Sequence, residues 1–137
     1  MRLDLAVLVF HVSANVVWVG SLLAVLVVAG VASEPVEARA RLARKVYVSL
    51  AVPGFLVSFI FGLVRLGLDW RYYLVTTHFM HVKLAFAAVA IVVHHLVGAR
   101  LGKMRRGGIA VRGTGWTGLA FGLATLGAII MAVVEPF

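Results

Sequence analysis

Residues 78–100 read HFMHVKLAFAAVAIVVHHLVGAR. The stretch is long enough to cross a bilayer as a helix, yet it holds four of the five histidines and the lysine Lys83. A lysine at the centre of the hydrocarbon costs roughly 2.5 to 3.5 kcal/mol on insertion scales, so each polar group in this stretch needs a reason. The surrounding sequence shows why hydrocarbon is the right solvent. Of the 137 residues 63% are hydrophobic and 13% charged, with a mean hydropathy of +1.06. A soluble domain of this size cannot bury that much apolar surface, and the composition puts the chain in the membrane class.

Outward from this stretch, apolar runs recur at about 5–32, 46–68, 75–97 and 116–134, each near the roughly 20 residues that span a bilayer as a helix. None shows the period-2 alternation of a barrel strand, and each is about twice a barrel strand's length. The expected fold is all-α, a four-helix transmembrane bundle forming one membrane domain over residues 1–137. The first run is longer than a signal core, is interrupted by His11, Ser13 and Asn15, and ends in no small-residue cleavage site, so it reads as an uncleaved anchor.

The net charge of +8 is local: 9 of the 13 Lys and Arg fall within 39–45 and 100–112. These clusters lie in the first and third links, two crossings apart and therefore on one side of the membrane. By the positive-inside rule that side is cytoplasmic, which leaves both termini outside, with Trp70, Tyr72 and Tyr73 as an aromatic belt at the outer interface. The clustering explains the charge as loop charge, without a nucleic-acid partner. Ser33, Glu34 and Pro35 mark a helix start near Arg39. Pro53-Gly54 predicts a kink or an opened carbonyl near Ser49, and Gly118 with Gly122 predicts close helix packing.

Absence of cysteine removes disulfides, thiolate ligands and iron–sulfur clusters, leaving histidine as the ligand type. No phosphate-binding glycine loop or paired serine nucleophile is present. His11 falls about 10 Å below the outer end of the first helix. His81 falls at a similar depth on the third, so the two are expected to face each other. His11, Asn15 and Trp18 share one helical face at i, i+4, i+7. Lys83 and His94 share a direction three turns apart. Against these roles stand simpler ones: an interfacial His78, a snorkelling Lys83, and His94 and His95 as helix-packing residues. Two imidazoles at matching depth in an apolar bundle suit haem b, with His11 and His81 as metal ligands, and copper is the alternative metal.

Three groups of residues resemble one family. His81-Val82-Lys83-Leu84 followed by His94-His95, the first-helix FHVSANVVWVGSLL containing His11 and Trp18, and Ala51-Val52-Pro53-Gly54 ending in Phe61-Gly62-Leu63 are similar to the HemJ-type membrane protoporphyrinogen IX oxidases, with CopD-like copper-resistance proteins as neighbours. The resemblance runs from about Val7 to Gly102. It implies a multi-pass protein of a bacterial-type inner (cytoplasmic) membrane, often oligomeric, that binds haem b and removes six electrons and six protons from protoporphyrinogen IX, passing electrons to quinone or the respiratory chain. It further implies His11 as a haem ligand or essential site residue, Trp18 as its companion in the cofactor site, Lys83 as a substrate or proton-transfer partner, and His94 as a polar contact of the third helix. Two positions depart. The family's Pro-Arg pair after the tryptophan is replaced by Val25-Leu26-Val27-Val28, and an aromatic residue before the third-helix histidine by Val93. The alternatives are a haem- or copper-binding electron-transfer subunit without enzymatic activity, and a structural subunit that binds no cofactor.

Overall fold

The described residues form four long helices: α1 (Leu3–Gly30), α2 (Val36–Leu68), α3 (Phe79–Gly107) and α4 (Thr114–Val134). The computed structural model describes residues 3–31, 33–107 and 114–134, and no strand occurs among them. α1, α2 and α3 contain 28, 33 and 29 residues, so each exceeds the roughly 20 needed to span hydrocarbon, while α4 carries the apolar stretch Gly115–Met131. The chain is therefore a helical protein built to lie in a membrane.

Two helices are longer than their apolar runs. α2 starts at Val36, directly after Pro35, whose carbonyl accepts the Arg39 amide at 3.1 Å, so the expected polar link is mostly helix. Arg39 is not solvated loop charge. It is buried, and one guanidinium nitrogen donates to the Ala29 carbonyl at 3.3 Å, answering the electronegative end of α1. α3 runs to Gly107, ten residues beyond the predicted end, because Val97, Leu101 and Met104 continue the buried stripe at helical spacing. At its other end it begins at Phe79, which leaves His78 outside the helix.

The expected disturbance near Ser49 takes the form of one π-helical turn, Tyr47–Ala51, ahead of Pro53. Pro53 has no amide hydrogen to offer the Ser49 carbonyl, and the Val52 amide reaches back five residues to Tyr47. The extra residue in this turn sets the register between Tyr47, which is buried, and Gly54, Ser58 and Gly62 further on.

That register brings the backbone of α1 close against α2. A methyl group on Gly54 would sit 2.9 Å from the Trp18 amide nitrogen, so only glycine lets α1 approach α2 there. Sequence inspection located the close-packing face on α4 instead, at Gly118 and Gly122. A methyl on Gly118 would make an ordinary 3.7 Å contact with Leu26, and Gly122 has open space beside it. The tight contact of α4 is at Gly127, where Phe86 of α3 lies 2.7 Å from the position a methyl would take. Phe121, fully buried, carries α4 inward to Trp18 at a ring separation of 6.0 Å. Arg100 of α3 donates to the Thr117 hydroxyl and ties the start of α4 to the end of α3.

Candidate functional site

Every fourth residue of α2 from Gly54 to Gly62 is small, and this ridge of Gly54, Ser58 and Gly62 receives the face of α1 that carries His11, Asn15 and Trp18. His11 lies across Gly62, where an added methyl would come within 2.9 Å of its Cε1. With that space open, the imidazole reaches the Ser58 backbone carbonyl, with Nδ1 2.8 Å from the oxygen. A carbonyl can only accept, so Nδ1 carries the proton and Nε2 keeps its lone pair. The Asn15 amide, one turn along α1, donates to Nε2 at 3.1 Å. Locking Nδ1–H onto a carbonyl is how a ligand histidine is oriented, since it fixes the ring and leaves Nε2 basic. His11 is half-buried, and Lys83 and Arg65 are the two cations close enough to act on it.

His94 lies deeper and is held differently. It is 2% exposed, the most thoroughly buried histidine. The Trp18 indole, which can only donate, gives its hydrogen to Nδ1 at 3.1 Å. The proton therefore belongs to Nε2, which donates to the Tyr47 hydroxyl oxygen at 3.2 Å, while that hydroxyl donates to the His94 backbone carbonyl at 3.3 Å. Each donor in this hydrogen-bonded group of Trp18, His94 and Tyr47 has an acceptor. The Tyr47 and Phe55 rings stack on the imidazole at centroid separations of 5.0 and 4.8 Å. Gly98 makes room for the Tyr47 phenol as Gly62 makes room for His11, with a methyl at Gly98 falling 2.8 Å from the phenol Cζ.

Of the residues singled out in the sequence, the structure joins Trp18 to His94 and Asn15 to His11. His11 and His81 are not brought together. No hydrogen bond or ring contact among the described residues connects them, because the His11 face of α1 is turned onto Ser58 and Gly62 of α2. His81 is exposed in the first turn of α3, with its ring 6.4 Å from that of His78, also exposed. Lys83 is half-buried on the next turn. His95 is exposed and meets Phe55 edge-on at 5.7 Å. Trp18 belongs to the packed core, donates to His94 and is flanked by Phe55 and Phe121.

Sequence reading missed Tyr47, Phe55, Ser58 and Arg65. The available signal was a glycine four residues after a carbonyl-bearing partner, Ser58 with Gly62 and His94 with Gly98. A glycine there bares the helix carbonyl one turn earlier to a ring from another helix.

No group of three or more His, Cys, Asp or Glu that could hold a metal ion occurs among the described residues. A haem iron would have to be held through His11 Nε2, the nitrogen that Asn15 engages, and no contact among the described residues brings His81 to it. The fold and these contacts define a helical membrane protein with two hydrogen-bonded histidine sites. Comparison with protein-family models, curated proteins and solved structures finds no match to the chain.

Proposed function

We propose that the chain is a haem b-binding redox protein of the membrane, of the kind its resemblance to HemJ-type protoporphyrinogen IX oxidases implies, with His11 as the protein ligand. The observation that carries this reading is the Nδ1–H bond of His11 to the Ser58 carbonyl across Gly62, which presents a fixed, neutral imidazole with a basic Nε2 inside an apolar bundle. Haem, when bound, supplies the electron chemistry. The chain's own residues orient the ligand and balance charge. Val25, Leu26 and Val28, which stand where the family carries Pro-Arg, pack in the core and offer nothing to a carboxylate. In this reading the porphyrin carboxylates fall to Lys83 and Arg65, the cations that act on His11. His94, with both nitrogens engaged, supports Trp18 and the α1–α3 contact, and acts as a positioning residue.

A second reading is favoured by a specific observation. Both nitrogens of His11 and of His94 already have partners within the chain, as in a structural subunit that needs no cofactor.

Absorption spectra of the purified protein, oxidised and dithionite-reduced, separate the two. Haem binding at His11 gives a reduced b-type spectrum that collapses in His11→Ala and survives in a folded His94→Gln protein. A colourless wild type from cells supplied with haem excludes the haem reading. Oxidase and carrier are then distinguished by rescue of cells lacking porphyrinogen oxidation. An oxidase rescues them and loses that ability in Lys83→Gln; a carrier does not rescue.

A further inference from the structure

Toward the opposite end of α2 from Ser58, α2 and α3 border an open cleft of about 330 Å³ lined by Arg41, Arg44, Lys45, Val48, Ser49 and Arg105. Four of these six are cations and none is acidic. Arg41, Arg44 and Lys45 share one helical face at i, i+3 and i+4, where like charges repel, and Arg105 adds a fourth positive charge from another helix. No carboxylate is among the described residues that line the cleft, so an anion entering it meets only positive charge.

The cleft sits where α2 passes from charged to apolar sequence. Val48 and Ser49, which follow Lys45, also line it, and Leu42, Val48 and Leu50 of the same stretch of α2 are exposed, about half of each side chain being uncovered. A row of cations with a hydroxyl, bordered by uncovered aliphatic side chains, matches a molecule that is anionic at one end and hydrocarbon at the other. Basic pockets between transmembrane helices hold lipid headgroups on these grounds.

We propose that this cleft binds the phosphate headgroup of an anionic phospholipid, with Arg41, Arg44, Lys45 and Arg105 around the phosphate, the Ser49 hydroxyl as a further donor, and the acyl chains against the surface that Val48 and Leu50 begin. Charge-assisted bonds to phosphate oxygens suit the three guanidinium groups. The site is independent of the histidines and of any haem.

The test titrates the purified full chain in mild detergent with short-chain phosphatidylglycerol, short-chain phosphatidylcholine and inorganic phosphate, reading the thermal unfolding midpoint. Phosphatidylglycerol raises the midpoint saturably, and the other two do not. The double variant Arg41→Gln/Arg44→Gln weakens the phosphatidylglycerol response roughly twenty-five-fold, about fivefold per cation. Lys103→Gln/Arg106→Gln removes the same charge from the same end but outside the cleft, and changes it by less than about twofold. Equal weakening in the two double variants overturns the proposal in favour of diffuse attraction. A phosphate response equal to that of phosphatidylglycerol overturns it in favour of a free-anion site, and no saturable response overturns it outright. Should the cleft double variant fail to fold, Arg105→Gln carries the test, with about a fivefold loss expected and an unchanged response overturning the proposal.

Discussion

His11 and His94 are held by one construction with opposite consequences. In each, a ring from one helix reaches a backbone carbonyl of another across a glycine four residues on: His11 to Ser58 over Gly62, and Tyr47 to His94 over Gly98. At His94 that ring is a phenol, and together with the Trp18 indole it consumes both imidazole nitrogens in a fully buried core. At His11 the ring is the imidazole itself, half-buried, with Nε2 held only by a side chain of its own helix and with Lys83 and Arg65 nearby. A histidine committed on both sides by other helices is a packing element. A histidine tied to another helix through one nitrogen only, its second held from its own helix, is the one that the haem reading uses.

The contrast is sharpest in stability. His94→Ala removes a stacked ring and strands the Trp18 indole, while the Tyr47 hydroxyl keeps the backbone carbonyl of residue 94, and is expected to cost about 3 kcal/mol in reversible unfolding in detergent. A loss below about 1 kcal/mol would mean that the packing role assigned to His94 is wrong. Next in size are the glycines. Gly98→Ala forces the Tyr47 phenol aside and is expected to cost about 1 to 3 kcal/mol. Gly62→Ala pushes His11 off the Ser58 carbonyl; because the ring can move toward the half-open side, its stability cost is smaller, and its larger effect is a shifted or weakened haem spectrum. Equal stability losses with no spectral change would place both glycines in the same structural role. The smallest effect is at Asn15. Asn15→Ala is expected to cost about 0.6 kcal/mol, near the average for a side-chain hydrogen bond in a membrane protein, while leaving the b-type spectrum intact. Loss of the spectrum in that variant would show that Nε2 is not the ligating atom.

Much of this was legible along the chain. The helices follow from run length and hydropathy, and the polar face of His11, Asn15 and Trp18 follows from spacing alone. The partnerships were not legible, for identifiable reasons. The expected pairing of His11 with His81 used depth in the membrane, which two helices share whichever way their faces turn. What turns the face is the ridge of Gly54, Ser58 and Gly62, and large residues between those positions hide its period of four. Tyr47 sits near the basic link, where a tyrosine has an ordinary interfacial role, yet it follows the π-turn before Pro53 into the core. The helix start expected near Arg39 agrees with α2 beginning at Val36, while the burial of Arg39 and the helical basic end of α3 are hidden in the sequence because charge ends an apolar run without ending a helix.

By itself, then, the sequence determined the solvent, the number of helices, and the short list of polar residues that hydrocarbon forces to find partners. Those follow from composition and from the backbone's need to satisfy its own hydrogen bonds. Only the tertiary structure decided which partner each polar residue found. That choice depends on how closely two helices approach, and the approach is set where a missing side chain lets a ring from one helix reach the backbone of another.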